Sequence, residues 1–441
     1  MLKTLQNAFK IKEVRSRLLF TLFVLVIVRI GCEIPVPGVN TDYIASLIAA
    51  QQSGGDAFNF FDALTGGSFM QMSIFALNIT PYITSSIIVQ LLTIAIPKLE
   101  EMHRDGEEGR KKIVKITRYL TVALALIESL AMAIGFGGRG LLPEYNVWTV
   151  TTAVMTMTAG SAVLMWLGER ITEKGVGNGI SIILLINIVS GLPDDMVTLY
   201  EVFIQGKNVA NAVLAIVIIV ALLVLMIGFV VLLQGGERRI PVQYAKKMQG
   251  RKMVGGQSSN IPVKVNTAGV IPVIFASSLM TLPVIIAQFF DVDPTSVGGI
   301  ILGMLSSSNW LHRGVPVYYN VGLVIYIVLI VAFAYFYTSI TFNPIEIANN
   351  MKKQGGFIPG IRPGKYTSDY LQKIFNYIIF VGAAGLIIVA VIPIAFSGWF
   401  SVSQLSFMGT SLIIIVGVVL ETLKQIESLM LVRYYKGFLN D

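Results

Sequence analysis

The chain has 441 residues, of which 54% are hydrophobic and only 13% are charged, and its net charge is +8. An average soluble chain carries roughly 25% charged residues. The apolar residues also gather in long blocks. The blocks approach the length of about 20 residues that a helix needs to cross a bilayer. This composition and this pattern exclude a soluble globular protein.

Cysteine and histidine exclude several kinds of site. Cys32 is the only cysteine, and His103 and His312 are the only histidines. An intrachain disulfide, a structural zinc site and a His/Cys cluster are therefore excluded, and a hydrolase triad would have to use a histidine from a polar loop. No phosphate-binding loop of the G-x-x-x-x-G-K-[ST] type is present, so we expect neither a cofactor nor ATP hydrolysis by this chain.

The N-terminal segment Met1–Arg17 is basic and amphipathic, and no signal-peptide cleavage pattern follows it. We expect a helix on the membrane surface, with a solvated basic tail as the alternative.

Ten apolar blocks follow and predict ten transmembrane helices, the fifth of them short. The blocks are Leu18–Ile34, Ser73–Ile96, Tyr119–Phe136, Val147–Leu167, Ile180–Leu192, Ala210–Leu233, Ala268–Phe290, Val317–Phe342, Ile374–Phe396 and Phe407–Leu431.

Lysine and arginine are distributed unevenly between the connections. One alternating set, which includes both termini, holds 28 of them, and the other set holds 3. Because cytoplasmic connections carry the excess of positive charge, both termini are predicted to be cytoplasmic, in agreement with an even number of spans. The net positive charge is thus a property of one membrane face and does not by itself indicate nucleic acid.

A short segment on the predicted outer side, residues 56–70, precedes the second span. It has an apolar helical face made by Phe58, Phe61 and Leu64, it is too short to cross the membrane, and it contains Gly66 and Gly67. It would either fold back into the helical bundle or lie on the outer surface as an amphipathic helix.

Two cytoplasmic loops, 234–266 and 343–373, are long, basic and rich in glycine and proline, with apolar residues between the charges. Long loops in compact proteins are usually functional or disordered. We interpret these two as ordered docking elements for an acidic partner, with binding of lipid headgroups as the alternative.

Ionisable residues inside the predicted spans are rare. Glu128, Arg29, Glu421 and Lys424 are the candidates, and no aspartate lies within a span. Transporters and intramembrane proteases need such groups near the middle of the membrane, so both classes are disfavoured. A structural role for these four residues is preferred over an ion pathway.

Six stretches together resemble the SecY/Sec61α family. Two correspond to its signature regions, SIFALNITPYITSSIIVQ at Ser73–Gln90 and WLGERITEKGVGNGISIIL at Trp166–Leu184. The supporting stretches are ERRIPVQYAKK at Glu237–Lys247, VNTAGVIPVIFASS at Val265–Ser278, NPIEIANNMKKQGGFIPGIRPG at Asn343–Gly364 and GTSLIIIV at Gly409–Val416. The resemblance covers essentially the whole chain, and its length and loop pattern are similar to the bacterial members.

The resemblance implies an all-α polytopic protein with ten helices in two inverted five-helix halves around an hourglass pore. The halves would be residues 18–192 and 210–431, joined by an outer linker, 193–209, and followed by a cytoplasmic tail, 432–441. It also implies a passive, protein-conducting channel, not an enzyme, in the plasma membrane of a bacterium. The implied partners are the SecE and SecG subunits, the SecA ATPase motor, the ribosome, a translocating polypeptide with its signal sequence, and membrane lipid.

The family's functional positions fall on residues that match its motifs. The implied pore ring is Ile79, Ile83, Ile180, Leu184, Ile274 and Ile414. The plug falls on residues 56–70, and the polar residues of a lateral gate fall on Gln90 and Asn178, whose amides we expect to be buried and to bond between helices. The implied docking surface for the motor and the ribosome is Arg238, Arg239, Lys246, Lys247 and Arg362. Asn78 departs from the pattern, because the first signature usually has glycine there.

Overall fold

The computed structural model describes residues 8–41, 43, 65–205, 209–244, 247–249, 252–254, 258–287, 293, 296–312, 314–400 and 410–437. The fold is mostly helical, and each of the ten apolar blocks of the sequence overlaps a helix. Two compact units are formed, one built mainly from Met1–Val209 with the last helix of the chain, the other mainly from Ala210–Pro283 and Ile300–Ser401.

The first unit contains the helices that carry most of the predicted ring positions. They are α1 (Lys12–Cys32), α2 (Thr80–Ala95), α3 (Pro97–Arg104), α4 (Gly106–Phe136), α5 (Val147–Lys174) and α6 (Gly179–Phe203), and the last helix of the chain, α13 (Thr410–Gly437). In this unit α13 packs against α6 and α1. Helix α13 thus belongs to the first compact unit, whereas the family resemblance implied a second half that runs to residue 431.

The second unit combines membrane helices with a small sheet. Its helices are α7 (Val209–Gly235), α8 (Ile271–Ala287), α10 (Val321–Thr341), α11 (Pro344–Lys353) and α12 (Lys365–Phe400). The strands are β1 (Glu237–Tyr244), β4 (Ser258–Lys264) and β5 (Gly356–Phe357), in the order β4-β1-β5, and a separate hairpin of β2 (Lys247–Gln249) and β3 (Lys252–Val254). A short helix α9 (Val297–Leu305) precedes α10 in the chain.

Six helical stretches of the described residues are long and apolar enough to cross a membrane. They are Gly106–Phe136, Val147–Lys174, Gly179–Phe203, Ala212–Gly235, Val317–Lys353 and Lys365–Phe396. The apolar helix Ile271–Val284 is shorter. The length and composition of these helices agree with the multi-helix membrane protein that the apolar blocks predict.

Several helix boundaries differ from the sequence prediction, and two of them change the interpretation of the flanking segments. The fifth apolar block was expected to end at Leu192, but α6 continues to Phe203 with Pro193 inside it, so much of the predicted outer linker is helical. Polar residues such as Asp194 and Glu201 hid this extension from a reading based on apolar blocks. At the other end, α1 begins at Lys12, so Lys12–Arg17 continues into the first span.

Pairs of hydroxyl groups join neighbouring helices in the first unit. The Ser85 hydroxyl on α2 lies 2.6 Å from the Thr121 hydroxyl on α4, and Ser129 on α4 lies 2.9 Å from Thr158 on α5. All four residues are buried. A glycine allows still closer packing, because a Cβ atom at Gly160 on α5 would collide with the carbonyl oxygen of Ile74. The Ser85–Thr121 pair fixes the position of α2, and the close approach at Gly160 fixes the turn that leads into it.

Candidate functional site

The first signature region forms a tight turn followed by α2. Asn78 has a φ of 49°, in the left-handed region that glycine and asparagine adopt most readily. Ile79 is the N-cap residue of α2, and Pro81 lies in the first turn, where its missing N–H costs nothing. Ile79 is fully buried, and Ile83, one turn further along the helix, is half-buried. The two predicted ring residues therefore lie at the start of a helix whose position is fixed by the turn.

The second signature region forms the turn between α5 and α6. Gly179 is required for close packing, because a Cβ atom there would collide with the carbonyl oxygen of Gly168. Ile180 and Leu184 follow on the first turns of α6, with Ile180 half-buried and Leu184 buried. This turn also binds the last helix, since the Gly177 N–H donates a hydrogen bond to the side-chain oxygen of Gln425.

Ile414 lies near the start of α13 and is 3% exposed. Because α13 packs against α6, the two helices that carry Ile180, Leu184 and Ile414 are neighbours in the first unit. Ile274 lies on α8 in the second unit, where it is half-buried and its carbonyl oxygen accepts a hydrogen bond of 3.0 Å from the Ser277 hydroxyl.

Only the end of the predicted plug lies within the described residues. Phe58, Phe61 and Leu64 lie outside them. Gly66 and Gly67 have φ angles of 68° and 84°, which explains why the sequence has glycine at both positions. The Gly66 carbonyl oxygen accepts a hydrogen bond of 2.9 Å from Nη1 of Arg29 on α1. The predicted plug segment thus ends in a turn that the Arg29 side chain of α1 binds.

The predicted gate residues have local contacts. Gln90 on α2 is half-buried, and its backbone carbonyl oxygen accepts a hydrogen bond of 2.6 Å from the Thr93 hydroxyl. The side chain of Asn178 is exposed, and its Oδ1 accepts hydrogen bonds from the N–H groups of Ile180 (3.1 Å) and Ser181 (3.4 Å). The structure thus corrects the expected buried amide of Asn178: asparagine before a helix satisfies the free N–H groups of the first turn.

The two basic loops join in one sheet. Strand β1 of the first loop pairs with β5 of the second loop through Gln243–Phe357 and Tyr244–Gly356. One face of the sheet is apolar, because Ile240, Val242, Val263 and Ile358 are buried in a cluster with residues of α12. The described strands of the two loops are therefore anchored by apolar side chains.

The predicted docking residues are distributed around this sheet. Arg238 on β1 is exposed, and its neighbour Arg239 forms an ion pair of 2.8 Å with Glu237. Arg362 is exposed in the turn between β5 and α12. Lys247 lies in the β2–β3 hairpin, opposite Val254, and Lys246 lies outside the described residues.

Several buried polar residues at or near the predicted plug were missed by the sequence reading. Thr65 and Ser68 form part of the turn at the end of the predicted plug, and Asn187 on α6 has a fully buried side-chain amide without a hydrogen-bond partner in the described part of the structure. A Cβ atom at Gly66 would approach the Cα atom of Asn187 to 2.9 Å. A single asparagine within an apolar run is the only sequence signal that would have pointed to this position.

Comparison with known proteins assigns the family. The model of the SecY family matches residues 73–423. A protein translocase subunit SecY of Halalkalibacterium halodurans is 42% identical, with the full length of both chains aligned, and that of Bacillus subtilis is 41% identical, again over both full lengths.

Solved structures share the fold. A protein-conducting channel superposes with a TM-score of 0.60 at 18% identity, over 94% of this chain and 92% of the other. Sec61 in a canine ribosome–channel complex superposes with a TM-score of 0.58 at 18% identity, with the same coverage. The family model spans most of the chain and the relatives align from end to end, so the chain belongs to the SecY family.

Proposed function

We propose that this chain is the protein-conducting channel of a bacterial secretion translocon. It would move unfolded secretory polypeptides across the membrane and release signal sequences and transmembrane segments sideways into lipid. The observation that carries this proposal is the 42% identity to a protein translocase subunit SecY over the full length of both chains. At that level of identity the motif positions can be transferred residue by residue.

The proposed pore is lined by branched apolar side chains. In this arrangement ten transmembrane helices form two inverted halves around an hourglass, and Ile79, Ile83, Ile180, Leu184, Ile274 and Ile414 meet at its narrowest point. A narrow apolar constriction excludes water, so ions are blocked while a polypeptide pushes through. Support comes from the positions of Ile79 and Ile180, each held at the start of a helix by a turn that tolerates little change.

Residues 56–70 would close the outer funnel as a plug. Sideways exit would take place between the second and third spans on one side and the seventh and eighth on the other, with Gln90 and Asn178 at this gate. The gate roles of these two residues stay predictions, and the N-cap contact of Asn178 gives that residue a structural role as well.

The energy would come from partners. The chain would assemble with SecE and SecG, and the basic sheet would bind the SecA motor or the ribosome on the cytoplasmic face of the plasma membrane. The exposed Arg238 and Arg362 support this assignment, because electrostatic attraction speeds association with an acidic surface. A solved relative is described as part of a ribosome–channel complex, which supports the second partner.

Reconstitution tests the proposal. Vesicles that contain this chain with its SecE and SecG partners should take up a secretory precursor when SecA and ATP are added, and vesicles without this chain should not. A solute transporter is the rival function. Uptake of a small solute by the purified chain alone, with no precursor uptake by the complex, would contradict the proposal.

A further inference from the structure

The short helix α9 exposes apolar side chains although it is not one of the long spans. Its nine residues, Val297–Leu305, all lie within the described ranges, all are apolar or glycine, and none is buried. The side chains of Val297 and Ile301 are 76% and 52% exposed. A helix that is apolar on every side is normally buried in a protein core or in a membrane. A helix of this length is also marginal in water by itself, so α9 needs an apolar surrounding that its own chain does not supply.

The C-terminal end of α9 is bound closely to the start of α10. The Asn309 side chain donates a hydrogen bond of 2.8 Å to the Gly303 carbonyl oxygen, and Nε1 of Trp310 donates one of 2.8 Å to the Met304 carbonyl oxygen. Both carbonyl groups belong to the last turn of α9, where a helix has no partners of its own for them. A Cβ atom at Gly322 on α10 would collide with the same Met304 oxygen. The helix therefore has a fixed place beside α10.

Trp310 anchors the turn after α9 in the second unit. Its side chain is 3% exposed, and its ring lies 5.4 Å from that of Tyr326 on α10. A Cβ atom at Gly398, near the end of α12, would approach the Leu311 carbonyl oxygen to 2.7 Å. The turn is thus packed against the ends of two helices that are long and apolar enough to cross a membrane.

This attachment lies at the end of α10 that is remote from the basic sheet. Helix α9 contacts the first residues of α10, whereas the loop 343–373, which carries β5, follows the last residue of that helix. Because α10 belongs to a stretch that is long enough to cross a membrane, α9 and the sheet are expected at opposite membrane faces. The sheet carries the basic loops, so α9 belongs to the predicted outer face.

The environment of α9 has the chemistry of lipid. Val317, Val321, Val324 and Val328 recur at helical spacing from the turn before α10 onwards, and all four are exposed, so an apolar surface begins at the level where α9 is attached. No charged residue occurs from Val297 to Leu311. A helix that docks on a protein is normally amphipathic and keeps a polar face in water, and α9 has no polar face. These features favour acyl chains over a protein partner.

We propose that α9 lies in the outer leaflet of the membrane, where its side chains contact lipid acyl chains and anchor the start of α10. The groups at its ends suit the headgroup region. The Ser296 hydroxyl accepts a hydrogen bond of 3.1 Å from the Gly299 N–H at the first turn, and the rings of Tyr318 and Tyr319, 4.6 Å apart, lie just before α10. Tyrosine is enriched at the membrane–water interface. The proposal goes beyond protein conduction and does not depend on it.

Site-specific fluorescence tests the proposal in the assembled complex. The chain carries Ile301→Cys together with Cys32→Ser, so that the environment-sensitive dye NBD labels one position. The complex with SecE and SecG is placed in nanodiscs of phosphatidylethanolamine and phosphatidylglycerol, where both membrane faces are open to solvent. Doxyl-labelled phospholipid quenches the dye from the acyl-chain region, and iodide quenches it from water. We expect blue-shifted emission, strong quenching by the doxyl lipid and little quenching by iodide.

Two labelled positions calibrate the measurement. Val324→Cys reports the exposed apolar face of α10, and Ser259→Cys reports an exposed site on β4 of the basic sheet. Doxyl quenching at Ile301 should match that at Val324 and exceed that at Ser259 several-fold. A label that behaves like the one at Ser259 would mean that α9 lies in water. A label shielded from both quenchers would mean that protein covers the helix, and either result overturns the proposal.

A second position keeps the test decisive if Ile301→Cys does not assemble. Val297→Cys replaces the first residue of α9, whose side chain is the more exposed of the two, so the substitution disturbs no packed contact. The same ratio of doxyl to iodide quenching is expected there, and the same two contrary results count against the lipid contact. Precursor uptake by each labelled complex is measured separately, so a failure of this proposal leaves the proposed function standing.

Discussion

Gln243 and Phe357 are partners in antiparallel strands that belong to the two basic loops of the chain. The pairing makes the two loops parts of one sheet, although more than a hundred residues separate Gln243 from Phe357 in the sequence. Charged residues of both loops therefore lie on or beside one small sheet, and a partner that binds one loop would lie close to the other.

Arg362→Glu should weaken coupling to the motor. Arg362 is exposed, and its replacement by glutamate would turn attraction to an acidic partner into repulsion. Arg239 is already paired with Glu237, so its replacement should change uptake less. We expect SecA-driven uptake of a precursor to fall several-fold with the melting temperature unchanged. Lys98→Glu, an exposed charge reversal on α3, is the matched control. Normal uptake by the Arg362 variant would remove the docking role.

Ile414→Asn should loosen the seal of the resting channel. The side chain is buried at a predicted ring position, and a polar amide there would favour water in the constriction. We expect more ion leak and more export of precursors with defective signal sequences, and the same direction for Ile274→Asn. Val419→Asn, exposed on the same helix, controls for a polar substitution outside the ring. No change in either ring variant would count against the assignment.

Variants of Asn178 distinguish its role as a helix N-cap from its predicted role as a polar residue of the gate. Aspartate accepts hydrogen bonds at an N-cap as well as asparagine does, but an ionised aspartate cannot donate one. Asn178→Asp should therefore keep the thermal stability of the complex, and Asn178→Ala should lose about 1 kcal/mol of unfolding free energy. Signal-dependent translocation that is impaired equally in both variants would mean that the amide acts as a donor at the gate.

Gly160→Ala should destabilise the first unit. The added Cβ atom would collide with the Ile74 carbonyl oxygen, so α5 and the turn before α2 would have to separate. We expect a lower melting temperature and less accumulated complex. Gly228→Ala on α7 is the control, because nothing lies within 4 Å of its added Cβ and alanine is the better helix former. Equal stability of the two variants would contradict the packing described for Gly160.

The membrane class, the helix positions and the basic loops could be read from the sequence, because apolar blocks and charge asymmetry are local patterns. The pairing of Gln243 with Phe357 could not, since two short strands far apart in the chain carry no signal of their register. The extension of α6 to Phe203 was hidden by its polar residues.

The site was predictable only where a motif marked it. Family resemblance assigned six predicted ring positions, which stay predictions and which apolar spans full of isoleucine would not have distinguished. It also marked Asn78 as unusual, but the backbone angle of Asn78 and its hydrogen bonds with Thr65 and Ile79 could be found only from the three-dimensional structure. The cap made by Asn178 was missed because family resemblance suggested a different contact for the same side chain.

The most direct measurement is a disulfide crosslink between a secretory chain arrested in transit and single cysteines placed at Ile83 and Ile274, with Cys32 replaced by serine. Both positions should crosslink to the arrested chain, and a cysteine at Val419 on the exposed side of α13 should not. If the arrested chain crosslinks to neither ring position, or to Val419 equally well, the polypeptide does not pass through these residues and the proposed channel is wrong.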